Sequence, residues 1–433
     1  MSDDVYAARR ARVLATLAPD GALLVAAGPE LRVGADGELR YLPDSDVYYL
    51  SGYAEPEVVL LLCPSAPTPF TVFVRPRDPE RERWTGARAG VEAARDLLGA
   101  DAAHPITELS AQLPKLLESA ATLYCTLESG RPAVDSAVRR VLETARRARP
   151  RSGRGVQTVT DTRALLAPMR LRKDAHEIEL IRNAARITVA GFQEVAAVLC
   201  SVDGEWQVEA TIEHAFRRRG AMGSAFPTIA AGGANATVLH YVTNDAPLRR
   251  GDMLLLDAGA RYRMYCGDVT RTYAVAGTFS PPQRALYDVV LAAHAAALEP
   301  IAPGRGCDEL HRAALRVLVD GMRDLGLLHG DTDTLIEQDA FKQYYPHRTS
   351  HWLGLDVHDV GDYAADGNDT PLEPGMVLTV EPGLYIPADD ETAPPSLRGI
   401  GVRLEDDVLV TASGHEVLTS ALPICADDVE RSN

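Results

Sequence analysis

Three histidines lie close together in HRTSHWLGLDVHDVG, residues 347–361, which also contains two aspartates. Imidazole and carboxylate groups at this density are typical of metal sites and of acid–base catalysis, because both bind divalent cations and both exchange protons. The spacing alone does not identify which ring would bind a metal, so His347, His351 and His358 are all candidates. Carboxylates elsewhere in the chain bear on that choice.

Two aspartates are expected to face each other across a β-hairpin in GDMLLLDAGARYRMYCGDVTRTY, residues 251–273. Residues 253–256 predict a buried strand that ends in Asp257, and residues 264–273 predict a second strand that carries Asp268. A turn at residues 262–263 would place the two Cβ atoms about 5 Å apart. Such carboxylates repel each other unless one is protonated or a cation lies between them. The alternative is that both only end strands at the surface.

Two glutamates also lie on or beside predicted strands. Residues 376–380 predict an apolar strand that ends in Glu381. Residues 398–411 alternate, which places Arg403 and Glu405 together on the face opposite the apolar side chains. A carboxylate within a strand is unusual unless it is paired or ligated, and pairing of Glu405 with Arg403 is the alternative. We expect the remaining acids of these segments to have no role in the site: Glu373 before a Pro-Gly turn, and Asp406 and Asp407 in solvent.

Four carboxylates and one imidazole form an oxygen-dominated ligand set, which suits Mn²⁺, Co²⁺ or Zn²⁺ and favours manganese. Two divalent ions would cancel the four negative charges. A two-metal site can bridge and acidify one water, form hydroxide at neutral pH and stabilise the oxyanion that develops. The set therefore predicts hydrolysis.

Composition limits the classes of function. The chain has 433 residues and a formal net charge of -17, which argues against nucleic-acid binding because that requires a basic face. We find no signal-peptide pattern and no apolar run long enough to span a bilayer, and the first residues predict a charged helix. Six scattered cysteines without a CxxC pair predict reduced thiols and a cytoplasmic protein.

The predicted elements indicate two domains. The first, residues 1–165, alternates strands (58–62, 70–74) with helices (91–98, and 106–117 with an interruption at Pro114) and predicts a mixed α/β fold. Residues 145–155, rich in arginine, proline and glycine, predict a solvated helix end and a linker. Asp174 to Glu177 form a capping-box pattern that begins a helix in the second domain, residues 166–433. The glycine-rich residues 230–237 lack a phosphate-loop lysine and predict a turn.

Taken in order, DAGARYRMYCGDVTRTY, HRTSHWLGLDVHDVG, LTVEPGLYIP and GIGVRLEDDV resemble the proline-specific metallopeptidases of the pita-bread fold, and among these the bacterial Xaa-Pro aminopeptidases (aminopeptidase P). The resemblance covers most of residues 174–420. YYLSGYAEPEVVLLL and ERERWTG resemble the N-terminal domain of that family. The family resemblance implies an α+β fold in which a mixed α/β domain precedes a curved antiparallel sheet. This sheet would have helices on its outer face and two metals on its concave face.

The resemblance also implies a role for each site residue. The metal ligands would be Asp257, Asp268, His351, Glu381 and Glu405, with Asp268 and Glu405 bridging the two ions and Glu381 also acting as general base. His358 would hydrogen-bond the scissile carbonyl. His240 and His347 would line the proline pocket, and Arg403 and Tyr385 would contact substrate or support the ligands. The residues alone predict for His240 a hydrogen-bonded core position.

One departure from the family pattern concerns the site itself. The usual His-Gly-Leu-Ser-His is His347-Arg348-Thr349-Ser350-His351 here, which adds bulk and charge beside two site histidines. Subsite preference and the role of His347 are therefore open.

Four interpretations of the function are compatible with these residues. An Xaa-Pro aminopeptidase acting on peptides with proline second is favoured over an Xaa-Pro dipeptidase, which shares its fold and ligands. A non-catalytic binding protein and a metal-free hydrolase of the creatinase type are disfavoured, because all five ligand types are present. Methionine aminopeptidases share the metal set but normally lack this N-terminal domain.

The resemblance also implies a dimer or tetramer. In such an assembly Trp84 of a neighbouring subunit would form part of the active-site wall. The alternative is a partly buried aromatic residue within its own domain.

Overall fold

The computed structural model describes residues 2–34, 37–127, 131–275 and 277–432. The chain divides into two compact units, Met1–Met169 and Arg170–Asn433.

The first unit is a mixed sheet covered by helices. Its six main strands lie in the order β6-β5-β4-β1-β7-β8, with β1–β4 and β4–β5 antiparallel and the other neighbours parallel. Apolar side chains of the sheet pack against the helices α5 and α6, which confirms the predicted mixed α/β fold. The elements are α1 (Ser2–Thr16), β1 (Gly21–Ala26), β2 (Arg32–Val33), β3 (Gly37–Glu38), α2 (Ser45–Ser51), β4 (Val59–Leu62), β5 (Phe70–Val74), α3 (Pro79–Thr85), α4 (Gly90–Leu98), β6 (Ala102–Pro105), a 3₁₀ turn (Ile106–Glu108), α5 (Leu109–Leu116), β7 (Thr122–Tyr124), α6 (Pro132–Ser152), β8 (Thr158–Thr160) and α7 (Arg163–Leu171), which contains the unit boundary.

Every strand pair among the described residues of the second unit is antiparallel. The elements are α8 (Ala175–Val198), a 3₁₀ turn (Leu199–Ser201), α9 (Glu205–Arg218), β9 (Gly223–Ser224), β10 (Ile229–Gly232), a 3₁₀ turn (Gly233–Thr237), β11 (Met253–Ala258), β12 (Ala260–Tyr262), β13 (Tyr265–Cys266), β14 (Val269–Ala274), α10 (Pro281–Leu298), α11 (Cys307–Asp324), α12 (Thr332–Glu337), a 3₁₀ turn (Ala340–Gln343), β15 (Ala364–Ala365), β16 (Asn368–Asp369), β17 (Val377–Val380), β18 (Gly383–Ile386), β19 (Ile400–Arg403), β20 (Asp406–Thr411), β21 (Gly414–Val417) and α13 (Ala426–Ser432).

Helices cover these strands in two places. α8 and α9 pack on β11, β12 and β14, and α10 and α11 pack on β17, β19 and β20. The predicted capping box is present at the start of α8, where the Asp174 carboxylate accepts from the backbone of Glu177 and the Glu177 carboxylate accepts from the backbone of Asp174.

The predicted β-hairpin is present, but its register differs by two residues. Asp257 pairs with Thr270 rather than with Asp268. The turn is made by Arg263 and Met264, both with positive φ (47° and 73°), which is the backbone of a two-residue hairpin turn. A shift of two residues preserves the alternation of faces, so both aspartates remain on one side of the ribbon.

Three smaller predictions were wrong. α5 continues through Pro114, because a proline in so short a helix removes only one internal hydrogen bond. Residues 229–232 form the strand β10, and only the following residues turn. The segment Ala175–Ser201 is long and apolar enough for a membrane span, contrary to the expectation of none, although many of its side chains are buried within the unit.

The prediction that Asp406 and Asp407 lie in solvent was also wrong, since both are buried. Asp406 accepts from Arg271 at 2.7 Å and from Thr419 at 2.6 Å, and it lies 3.1 Å from Nε2 of His294. Both residues lie at the start of β20, where their backbones pair with β17. Groups from distant segments of the chain cover their carboxylates.

Candidate metal centre and its cavity

Strand ends bring the predicted ligands into one cavity of about 870 Å³ in the second unit. Asp257 lies on β11, Asp268 immediately precedes β14, Glu381 follows β17, and Glu405 lies between β19 and β20. An isolated antiparallel bridge between Thr270 and Glu405 joins the sheet β10-β11-β14 to the segment between β19 and β20. Antiparallel strands thus deliver carboxylates from four separate segments to one surface.

His351 is the histidine nearest to these carboxylates. Its Nε2 lies 3.4 Å from Asp268, 3.6 Å from Glu381 and 4.0 Å from Glu405. One ligand atom each of Asp268, His351 and Glu405 lies within 4.8 Å of the others. Nδ1 of His351 lies 3.1 Å from the Trp352 carbonyl oxygen, which fixes a tautomer with Nε2 free to bind a cation.

The charges in this cluster fit a cation. Burial, followed by repulsion from Asp257 and Asp407, raises the pKa of Asp268 well above its ordinary value. Burial and repulsion from Asp268 do the same for Glu405, and burial raises the pKa of Glu381. Buried carboxylates that repel one another either hold protons or surround positive charge. The donor set therefore matches divalent metal ions.

Asp257 reaches the cluster with one oxygen occupied and one unused. Its Oδ2 accepts from Arg403 at 2.6 Å, while Oδ1 is buried without a hydrogen-bond partner among the described residues. A buried acceptor without a partner is costly, and a bound cation would satisfy it. The alternative pairing of Arg403 with Glu405 is not what these hydrogen bonds show, since Glu405 accepts instead from Thr270 at 2.6 Å.

Arg403 is fully buried and joins three groups of the site. It also donates to the Tyr385 hydroxyl at 3.0 Å and to Thr270 Oγ1 at 3.2 Å. Burial raises the pKa of Tyr385 to about 12, so its hydroxyl remains protonated. Nε2 of His347 lies 2.8 Å from the same hydroxyl, which extends the network to the cavity wall.

The other predicted histidines, His240, His347 and His358, also line the cavity, and Nδ1 of His347 lies 3.8 Å from Glu381. Burial lowers the pKa of His347 to about 3 and that of His358 to about 4, so both rings are neutral at pH 7. The His358 ring centre lies 4.1 Å from that of His351. His240 is exposed in a turn on the cavity wall, so the expectation of a core histidine was wrong.

Two groups that sequence reasoning missed support the site. Asp407 accepts from the backbone N–H of Asp268 at 3.2 Å and thereby holds the segment that carries this predicted ligand. Thr349, one of the two departures from the family pattern, is buried, and its Oγ1 lies 2.8 Å from His311 and 2.7 Å from the Tyr345 hydroxyl. The neighbouring sequence indicates neither role. Asp407 follows two other acidic residues and cannot be distinguished from them by pattern, and the partners of Thr349 lie on other elements.

Arg348, the second departure, lies at the cavity edge and pairs with Asp308 at 2.5 Å. Its added positive charge is therefore neutralised within the unit.

Trp84 lies in the first unit, on α3, and its exposed fraction is 87%. The alternative of a partly buried aromatic was therefore wrong.

Comparison with known proteins agrees with this geometry. The model of Metallopeptidase family M24 matches residues 179–412, and that of the aminopeptidase P N-terminal domain matches residues 6–124. Xaa-Pro aminopeptidases of Haemophilus influenzae and Escherichia coli are 41% and 39% identical to the chain, over 98% and 99% of it and over 95% and 97% of their own lengths. The solved structure of Pseudomonas aeruginosa aminopeptidase PepP has a TM-score of 0.93 at 42% identity and covers 99% of this chain and 97% of its own. The chain belongs to the M24 metallopeptidase family.

Proposed function

We propose that this chain removes the N-terminal residue from peptides whose second residue is proline, by metal-dependent hydrolysis. It is a hydrolase of the metallo-aminopeptidase type, as its family and relatives indicate. The observation that carries the proposal is the convergence of Asp268, His351 and Glu405 within 4.8 Å in a chain about 40% identical to two Xaa-Pro aminopeptidases. The Xaa-Pro dipeptidase remains the alternative within the same fold.

Five residues hold two divalent cations in this proposal: Asp257, Asp268, His351, Glu381 and Glu405. Manganese is the metal we assign, with cobalt or zinc as alternatives, because carboxylate oxygens dominate the set. The cations supply Lewis-acid polarisation of the scissile carbonyl and acidification of a water when bound. The unpartnered Oδ1 of Asp257 and the raised pKa values of Asp268 and Glu405 support this assignment.

Proton transfer belongs to Glu381 and carbonyl polarisation to His358. The carboxylate of Glu381 lines the cavity and lies 3.6 Å from Nε2 of His351, so it would accept a proton from a water held at the cations. His358, neutral and on the cavity wall, donates an N–H to the carbonyl oxygen as negative charge develops there.

The remaining site residues bind and orient the peptide. His240 and His347 flank the proline ring, and Arg403 and Tyr385 fix His347 and Asp257. An Xaa-Pro bond lacks the N–H that other peptidases grip, and proline's fixed φ excludes the extended pose. A site that recognises the carbonyl and the ring avoids both problems.

The wider organisation follows the same proposal. Residues 1–165 are the N-terminal domain and 166–433 the catalytic domain, which the unit boundary after Met169 supports. The protein is a homo-oligomer in which exposed Trp84 meets the active site of a neighbour. It acts in the cytoplasm without nucleic-acid or membrane partners, which six free cysteines and the acidic charge support.

The test compares three peptides on chelator-stripped protein reloaded with manganese. We expect metal-dependent release of Xaa from Xaa-Pro-Yaa and none from the matched control Xaa-Ala-Yaa. Cleavage of the dipeptide Xaa-Pro alone would identify a dipeptidase instead. Silence on all peptides by protein that holds its metal would refute the proposal.

A further inference from the structure

The cavity wall that carries His240 has little regular structure of its own. Residues 238–246 follow a 3₁₀ turn and run as turns and coil to the approach of β11. Leu239, His240 and Val242 line the cavity from this segment. The position of the wall must therefore be set by contacts made elsewhere along it.

Asn244 makes two of those contacts, accepting from the Ala230 backbone and donating to the Thr228 carbonyl, and Glu205 makes four more. It is the first residue of α9 and is fully buried, and its carboxylate accepts four hydrogen bonds. Oε1 accepts from the Gly232 backbone at 2.7 Å and from the Asn235 side chain at 2.9 Å. Oε2 accepts from the Tyr241 hydroxyl at 2.8 Å and from the Ala246 backbone at 2.9 Å. One carboxylate thus ties both ends and the middle of residues 232–246 to α9.

Tyr241 connects this carboxylate to the cavity. It directly follows His240, and its ring packs on the apolar cluster that contains Tyr385. Burial and the hydrogen bond to Glu205 raise the pKa of Tyr241 to about 12, so the hydroxyl stays a donor. His240 lies exposed on the cavity wall, and Glu205 holds the side chain of the residue that follows it, so the backbone between the two residues is restrained.

From these contacts we infer that Glu205 and Tyr241 are positioning residues that set the His240 wall of the substrate cavity. The inference rests on the proposed function for its kinetic consequence. A misplaced wall weakens substrate binding, whereas the metal ligands, which lie on other segments, are not disturbed. The expected signature is a rise in KM with kcat and metal content unchanged.

Tyr241→Phe is the main test, because it removes one hydroxyl and keeps the ring packing. On the manganese-loaded enzyme with Xaa-Pro-Yaa we expect KM to rise roughly three- to tenfold. This is less than the full effect of one lost charge-assisted hydrogen bond, because the other contacts of the segment remain. Glu205→Gln should raise KM further, because its amide cannot accept at both ends. Thr237→Val is the matched control: it removes the hydrogen bond to the Ala234 carbonyl in the same segment, does not contact Glu205, and should leave KM unchanged.

A double-mutant cycle with His240→Ala separates positioning from general destabilisation. If Tyr241 acts through His240, Tyr241→Phe has no further effect on KM in the His240→Ala background. An equal rise in KM in both backgrounds, or no rise in either, would overturn the inference.

Hydrogen exchange provides a readout that does not depend on activity. Amides of residues 238–242 should exchange roughly five- to tenfold faster in Tyr241→Phe than in wild type, with no change in Thr237→Val. Unchanged exchange overturns the positioning role even if peptides are cleaved. A wild-type enzyme that cleaves no peptide refutes the proposed function, and accelerated exchange would still support the positioning role.

Discussion

Arg403 donates from Nη2 to Oδ2 of Asp257 across 2.6 Å, and both side chains are almost completely buried. The pair orients Asp257 so that its second oxygen, Oδ1, has no hydrogen-bond partner among the described residues. A guanidinium therefore holds one side of the carboxylate and leaves the other side for a cation.

Arg403→Lys should lower turnover at least about tenfold, because lysine keeps the charge but cannot reach Asp257, Tyr385 and Thr270 together. Steady-state kinetics on a proline tripeptide measures the loss. Arg398→Lys is the control, since among the residues that the structure describes Arg398 bonds only the carbonyls of Ala393 and Glu391. Equal turnover in both variants would contradict the role assigned to Arg403.

The metal-free protein should become less stable as pH rises above about 7, where the histidines of the site are neutral in both the folded and the unfolded chain. The pKa values of Asp268 and Glu405 are raised above their ordinary values of 3.8 and 4.5, so the folded state keeps protons that the unfolded chain has released. The stabilisation is complete below about pH 4 and is lost as pH rises through the raised pKa values, by at most ~1.4 kcal/mol per pH unit for each group.

Urea unfolding of the chelated protein between pH 7 and pH 8 measures this slope. The lowered pKa values of His347 and His358 change stability only below the ordinary histidine value of 6.5, outside this range. The pKa of Asp406 is lowered, so this carboxylate changes the stability only below its ordinary pKa of 3.8, outside the pH range of the measurement. Manganese should remove the slope by replacing the protons. A metal-free protein that gains stability over this range would contradict the site's electrostatics.

His351→Ala and His358→Ala should separate binding from turnover. Nε2 of His351 lies among the carboxylates, so its loss should lower bound metal, measured by elemental analysis after dialysis. His358→Ala should retain metal and lose about 10²-fold in turnover, as for removal of one oxyanion donor. Equal metal loss in both variants would contradict the assignment of His351 as a metal ligand and His358 as a hydrogen-bond donor to the substrate.

Asp406→Asn should destabilise the fold by about 3–5 kcal/mol, because Arg271 would remain buried without its charged partner. The same guanidinium donates to the backbone carbonyls of Thr270 and Glu405, so bound metal should decrease as well. Asp427→Asn removes an exposed pair with Arg284 and should change the denaturation midpoint little. Similar midpoints for both variants would show that the Arg271–Asp406 pair does not stabilise the fold.

Trp84→Ala should leave the thermal stability of the isolated subunit unchanged, because its side chain is 87% exposed. If a neighbouring subunit receives it, KM should rise while metal content stays constant. Sedimentation and kinetics on the same sample measure both effects. A monomeric wild type with unchanged kinetics in the variant would remove Trp84 from the site.

Local pattern was sufficient where the cause is local. The strand β17 before Glu381, the strand β11 that carries Asp257 and the capping box at Asp174 all follow from apolar runs and backbone hydrogen bonds within a few residues. Alternation also placed Arg403 and Glu405 on a common face. The resemblance, rather than the spacing, selected His351 among the three histidines of its segment.

Tertiary structure decided which faces are covered and which groups meet. Alternation assigns a side chain to a face, but it does not reveal whether another segment covers that face. Asp406 and Asp407 looked exposed, yet Arg271 and the backbone of Asp268 cover them from another strand. The hairpin register depended on the positive φ of Arg263 and Met264, and the four partners of Glu205 lie 27 to 41 residues away. Contacts between residues so far apart in sequence form only when the chain packs. Local hydrophobic periodicity therefore cannot predict them.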